Sequence, residues 1–169
     1  MEIKRVPYYR KPAELTVEEW QSALRKQYAL EQKFKVKNKS CFNCNLHCSR
    51  YYLAGAAEAE GPEFETLCSY TSRIGNSDLE FGLKMNAFLN RMGIDSLSSG
   101  ETIGWAMECV QRGLLDKDDF DGLDFSWGNC QTVEKLLGMI IRREGIGDLF
   151  AEGTRSLARH FGKGCGEYA

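Results

Sequence analysis

The chain has 169 residues, 43% of them hydrophobic and 27% charged, with a net charge of −2 and a pI of about 5.8. That balance excludes a disordered tail, a collagen-like fibre and a membrane-spanning protein, because no stretch approaches the ~20 apolar residues that a bilayer requires. The length suits one domain or two small ones, with a core that needs no disulfide staples.

Residues 1–15 hold Pro7 and Pro12 and read as an extended lead-in. They contain no apolar h-region, so no secretory signal is expected and the protein is expected to be cytoplasmic. Residues 1–40 carry ten Lys/Arg against five Glu, a local +5 within a chain of net −2. A solvated helix and linker account for that charge, and neither nucleic acid nor membrane is an expected partner. Thr16-Val-Glu-Glu19 is a capping box, in which a hydroxyl takes a backbone N–H three residues on and Glu19 reaches back. The helix it opens is expected to run to about Lys35, with Trp20, Leu24, Tyr28 and Phe34 on one stripe. Lys33 to Lys39 then leads into a group of cysteines.

Ser49 to Leu53 reads as a short strand, and Ala54 to Ala59 as a small-residue loop. Gly61-Pro62 breaks the chain before Glu63-Phe64-Glu65. Ser77-Asp-Leu-Glu80 and Ser98-Ser-Gly-Glu101 are further capping boxes. The first opens a helix with Leu79, Leu83, Phe88 and Leu89 inward and Gly93 as its stop. The second opens one with Ile103, Ala106, Met107 and Val110 inward, ending at Gly113. Asp116 to Asp124 reads as an acidic loop. A helix is expected over residues 132–144, with Val133, Leu136, Leu137, Ile140 and Ile141 inward, and a last one over residues 148–161. The fold class is therefore mostly α, bundle-like, with little or no β-structure. Residues 16–169 form the expected helical domain.

Seven cysteines without an export signal point to metal ligation or burial rather than disulfides. Cys41-Phe-Asn-Cys44-Asn-Leu-His-Cys48 is the sharpest feature, a C-x-x-C-x-x-x-C spacing that lets three thiolates converge from one loop. Soft thiolates select iron–sulfur clusters, zinc or copper(I). A cubane takes a fourth Cys from elsewhere; zinc would want a fourth ligand such as His47 or His160. The spacing is the reverse of the C-x-x-x-C-x-x-C run of radical enzymes. Glu63 and Glu65 are a pair of carboxylates after a tight turn, and one of them suits general acid–base work if extended and buried. The N–H groups around Ser98 to Glu101 suit a phosphate or a polar heterocycle, although on these residues alone a helix–turn–helix connection with good caps is the better reading. Tyr51 and Tyr52 beside Arg50 offer stacking surfaces, with packing over the cysteine loop as the expected role.

In this order the segments resemble the tungsten- or molybdenum-dependent aldehyde:ferredoxin oxidoreductase family. The resemblance runs from about Ser40 to Phe161. It rests on the cysteine triad, Glu60-Gly-Pro-Glu-Phe-Glu65, Met92 to Gly100, Ala106-Met-Glu-Cys109, Asp121 to Gly128 and Arg143 to Gly153. Family members oxidise aldehydes to acids with a metal held by two pyranopterins beside a 4Fe-4S cluster, and pass electrons to ferredoxin. Related subunits of benzoyl-CoA reductases share the scaffold.

The resemblance implies that Cys41, Cys44 and Cys48 are cluster ligands and that the fourth lies outside this sequence. It places a pterin-contact motif on Asn90, Gly93, Ile94 and Asp95, with Asn90 where the family has Asp and Ile94 where it has Leu. It places the Glu near the metal on Glu65, with Glu63 second. It further implies the helical middle domain and the start of the C-terminal one. The N-terminal β domain and most of the C-terminal domain would then be supplied elsewhere, as a complementary subunit or missing domains. On this reading the chain is a fragment or split subunit, inactive alone, with self-association through exposed apolar faces as a further expectation. Two alternatives stand beside it: a non-catalytic helical remnant or interaction module, and a small zinc-binding module.

Overall fold

A computed structural model describes Glu18, residues 32–55 and residues 57–169. The predicted lead-in and nearly all of the helix opened at Thr16 lie outside these residues. Residues 32–34 are helical, and the strand that follows starts at Lys35. The chain divides into two compact units, residues 1–93 and 94–169. The described elements are mostly helical, with one small sheet.

In the first unit, β1 (Lys35–Lys39), β2 (Ser49–Ala54) and β3 (Ala57–Glu60) form an antiparallel sheet in that order. The sequence pointed to β2 alone. β1 reads as a charged linker, yet its lysines lie over the sheet: the Lys37 ammonium sits 5.3 Å from the centre of the Tyr51 ring. β3 falls in the predicted small-residue loop. Its Ala-Glu-Ala-Glu sequence has the alternation of a strand but lacks β-formers, so pairing with β2 decides its state.

Glu63 and Glu65, which would face one side only if extended, start helix α1 (Phe64–Ser69), with Glu63 at its N-cap and Glu65 in its first turn. Helix α2 (Leu79–Met92) packs against α1, β2 and β3. Its N-cap is Asp78 rather than Ser77: the Asp78 carboxylate accepts the Phe81 N–H at 3.2 Å, and a carboxylate suits the positive end of a helix. Leu79 and Leu83 join Tyr52, Ala54 and Leu67 in one cluster. Leu89 is buried and Phe88 is half-buried. Tyr52 therefore lies in this core and not over the cysteine loop.

In the second unit, α3 (Ser96–Gln111) starts earlier than expected because Asp95 caps it, accepting the Ser98 N–H at 2.6 Å. The predicted capping box at Ser98 to Glu101 thus sits within the helix. Ile103, Ala106 and Met107 are buried. The acidic stretch folds into a 3-10 turn, Asp118–Phe120, that turns Phe120 inward. Phe120 lies 4.4 Å from Phe125 and 5.4 Å from Phe161, ring centre to ring centre, and Phe125 stacks on Phe150 at 5.5 Å.

α4 (Cys130–Arg142) is capped by the Asn129 side chain and buries Val133, Leu136 and Leu137. Ile140 is half-buried and Ile141 exposed, short of expectation. Helix α5 (Ile146–Phe150) crosses back at Met139 and Ile140 and leaves Ile141 outside. The predicted last helix is two, α5 and α6 (Thr154–Phe161), interrupted at Gly153, whose φ of 81° no helix accommodates. A 3-10 segment, Cys165–Tyr168, follows. No described helix is long and apolar enough to cross a membrane.

Candidate functional site

The three clustered cysteines sit on the loop that joins β1 to β2. Lys39 pairs with Ser49, so residues 40–48 leave and return at one point of the sheet. Cys41 is two residues from that pair and Cys48 is next to it. Within the loop, the Cys44 N–H donates to the Cys41 carbonyl at 3.0 Å, closing a turn around Asn43 at a φ of 57°. Asn tolerates that left-handed conformation better than most side chains. The Cys44 thiol lies 3.7 Å from the Leu46 carbonyl, and the Arg50 guanidinium donates to the Cys48 carbonyl at 3.2 Å. Local bonding thus folds the C-x-x-C half back on itself and fixes the base of the other half.

All three are free thiols, Cys41 and Cys48 exposed and Cys44 half-buried. Among the described residues, no group of three or more His, Cys, Asp or Glu side chains is gathered closely enough to hold a metal ion. The hairpin brings the three cysteines to one loop; their sulfur atoms are not drawn to one centre. Phe42 and Leu46, between them, are 95% and 74% exposed. Large apolar side chains so placed are unusual unless something covers them.

The other predicted residues occupy three places. Glu65 is exposed in the first turn of α1, and its carbonyl accepts the Ser69 hydroxyl at 2.8 Å. Glu63 is exposed at the N-cap. Asn90 and Gly93 close α2: Asn90 is exposed in the last turn, and Gly93 caps it with a φ of 68° and an N–H bonded to the Leu89 carbonyl. Ile94 is half-buried, and Asp95 opens α3. Hydrogen bonds from Ser98 hold the Asp95 carboxyl below the usual carboxylate range, so it is ionised and already occupied as a cap.

Sequence reasoning missed Asn86. Its buried amide donates to the Tyr52 hydroxyl at 3.0 Å and to the Glu60 carbonyl at 3.2 Å, while Tyr52 donates to the Leu83 carbonyl at 2.6 Å. This network ties the Glu60-Gly61-Pro62 turn, and so the start of α1, to α2. The available signal was an amide on the apolar face of a helix, a position that requires buried partners.

A family model described as aldehyde ferredoxin oxidoreductase, domains 2 and 3, matches residues 6–169. The chain belongs to the aldehyde ferredoxin oxidoreductase family. It is 37% identical over 137 residues to a tungsten-containing aldehyde ferredoxin oxidoreductase of Pyrococcus horikoshii, covering 79% of this chain and 23% of that one. It is 30% identical over 118 residues to the WOR-like subunit of an aliphatic sulfonate oxidoreductase of Pyrococcus furiosus, covering 67% of this chain and 19% of the relative. Among solved structures, it resembles a chain of the active-site complex BamBC of benzoyl coenzyme A reductase with bound 1,5-dienoyl-CoA. There the TM-score is 0.71 at 29% identity, over 94% of this chain and 23% of that one. The chain thus spans under a quarter of the length of these relatives.

The family's tungsten-containing members set a test for the cysteine loop. Three free soft donors on a loop with a pinned base fit three corners of an iron–sulfur cubane. A fourth donor does not join them among the described residues. The donor set therefore fits such a cluster as a partial ligand set, completed from another segment or an external ligand.

Proposed function

We propose that this chain carries the cluster-binding and part of the pterin-binding surface of a tungsten- or molybdenum-dependent aldehyde oxidoreductase, with Cys41, Cys44 and Cys48 as three ligands of a 4Fe-4S cluster. The observation that carries the reading is the hairpin loop itself: three free thiols in C-x-x-C-x-x-x-C spacing, on a loop whose ends are paired in a sheet, in a chain of this family. The parent reaction is oxidation of an aldehyde and water to a carboxylate, releasing three protons and two electrons. When bound, the metal bis-pyranopterin supplies the two-electron chemistry and the cluster supplies single-electron relay.

The residues of this chain divide the remaining work. The three thiolates hold the iron, and the cluster potential follows from their burial and hydrogen bonding once the loop is covered. Gly93 and Ile94 present backbone to a pterin, with Asn90 and Asp95 as polar contacts. The Asn90 amide keeps a hydrogen-bonding group there without the charge of a carboxylate. Glu65 takes a proton at its carboxylate. The domain reading is an extended segment over residues 1–15 and a helical domain over 16–169. The β domain and the rest of the C-terminal domain would come from the same protein or a complementary subunit. Until they do, the chain is inactive toward aldehydes. Self-association through exposed apolar faces belongs to the same reading.

The electron partner proposed is ferredoxin. From Gln32 to Ala57 the sequence holds Lys33, Lys35, Lys37, Lys39 and Arg50 and no Asp or Glu. A positive hairpin around a redox loop favours an acidic carrier and speeds its encounter. The proposed compartment is the cytoplasm. Anaerobically prepared chain is expected to contain iron and acid-labile sulfide in equal amounts, both lost together in Cys44→Ser. Zinc without sulfide after the same handling overturns the cluster assignment in favour of a zinc module. Neither metal favours a non-catalytic remnant.

A further inference from the structure

The C-terminal 3-10 segment is held on one face of α3. Trp105, Cys109 and Arg112 recur at helical spacing and share that face. The Trp105 indole N–H donates to the Cys165 carbonyl at 3.1 Å. The Arg112 guanidinium lies 4.1 Å from the centre of the Tyr168 ring and is itself held by the Glu108 carboxylate at 2.6 Å. Between these two anchors the Cys109 and Cys165 side chains meet. Both are fully buried free thiols, Cys109 on α3 between the two anchors and Cys165 on the segment they hold.

We propose that Cys109 and Cys165 form a disulfide site, at which a small-molecule or protein disulfide ties the C-terminal segment covalently to α3. The proposal does not depend on the cluster reading. The balance is simple. One cysteine thiolate attacks a sulfur of the external disulfide, releasing one thiol and leaving a mixed disulfide. The second thiolate attacks the protein-bound sulfur of that mixed disulfide, releasing the other thiol. One S–S bond breaks and one forms, two electrons pass to the oxidant, and the two protons end on the released thiols. A disulfide demands close, facing Cβ atoms, and the anchors at Trp105 and Arg112, on either side of Cys109, hold the Cys165 segment against that face of α3.

Access gates the reaction. Burial, with the neighbouring Cys165 thiol second, pushes the Cys109 thiol up to about 12, so at neutral pH Cys109 is protonated and a poor nucleophile. Opening of the short segment after Gly162 exposes Cys165 to the oxidant, and reclosing delivers the mixed disulfide to Cys109. The packing that slows the first step thus directs the second.

The test uses the full chain and a variant carrying Cys41→Ser, Cys44→Ser and Cys48→Ser, which silences the exposed loop thiols. Each is incubated folded with oxidised glutathione, quenched in acid, alkylated in denaturant and digested with trypsin. The expected result is a linked pair of peptides, Met92–Arg112 with Gly164–Ala169, two hydrogens lighter than the reduced pair and abolished by reductant. Oxidation should also raise the thermal midpoint of the triple variant, and Cys165→Ser should remove both effects. Recovery of the two peptides separately, with free, alkylated or glutathione-capped cysteines, overturns the proposal. So does linkage that forms only after the chain is unfolded in urea.

Discussion

Lys39 and Ser49 face each other across the β1–β2 ladder, and everything about the cysteine loop follows from that pair. Antiparallel partners hold their Cα atoms about 5 Å apart. Cys41 and Cys48 stand next to this closure on opposite strands of the loop, so neither can move far from the other. Cys44 is folded back toward Cys41 by its own N–H. The loop is pre-shaped by its base, and the exposed Cys41 and Cys48 stand beside that base.

Cys44→Ser separates ligation from folding. The loop contributes no buried apolar surface, so the apo chain should lose no more than about 0.5 kcal/mol. The loaded chain should lose most of its iron and sulfide. Thermal melts of apo protein beside iron and sulfide assays check both halves. A large loss of apo stability would mean that Cys44 has a packing role the hairpin does not display.

Asn86 is the residue on which the turn before α1 depends. Asn86→Leu removes bonds to the Tyr52 hydroxyl and the Glu60 carbonyl and leaves buried oxygen atoms unsatisfied. The expected cost is about 2–3 kcal/mol, read as a lower urea midpoint. Tyr52→Phe should cost less, about 1 kcal/mol, because Asn86 keeps its bond to Glu60. The double variant should lose less than the sum of the two, since the residues share one network.

Much of this architecture was legible in the sequence and some was not, for reasons that differ by element. α2 and α3 declared themselves through apolar periodicity and terminal signals, although aspartates rather than serines proved to be the caps. Asp78, one position from Ser77, competes for the same N–H groups and carries charge as well, and Asp95 caps three residues ahead of Ser98 by taking its N–H. β1 and β3 were hidden because lysines, alanines and glutamates are poor strand formers that β2 holds by pairing. The cysteine spacing is legible as three thiols on one short loop, while the distances between their sulfur atoms depend on loop conformation, which spacing does not encode. Glu63 and Glu65 read as a carboxylate pair whose shared side depended on an extended backbone, and Glu65 instead lies in the first turn of α1.

Asp95 gives stability a pH dependence with a definite sign. Its folded-state carboxyl lies below the ordinary value of 3.8 because Ser98 donates to it. The contribution is therefore full above that value and is lost as pH falls through the lower, folded one. Asp95→Ala should cost about 1 kcal/mol at pH 7, the usual price of a helix cap. The deficit should shrink toward zero in strong acid. Asp95→Asn should keep most of the capping at pH 7 and flatten the acid limb. Urea melts from pH 2 to pH 7, with all three chains compared, decide it.

Gly147 is the sharpest steric prediction in the second unit. A Cβ there would collide with the Met139 carbonyl carbon and lie 2.6 Å from the Ile140 nitrogen, both backbone atoms that no rotamer change can move. α5 packs on α4 at this point, so relief requires the helices to separate. Separation would open the packing around Leu136, Leu137 and Phe150, all buried. Gly147→Ala should therefore cost about 3 kcal/mol despite its better helix propensity. Gly138→Ala on α4 is the control, since its Cβ would meet only the mobile end of Arg142, at 3.3 Å. That change should be neutral or stabilising by up to about 1 kcal/mol, because a helical alanine loses less backbone entropy than glycine. Equal effects of the two substitutions in urea titrations would show that α5 is not packed on the α4 backbone as described.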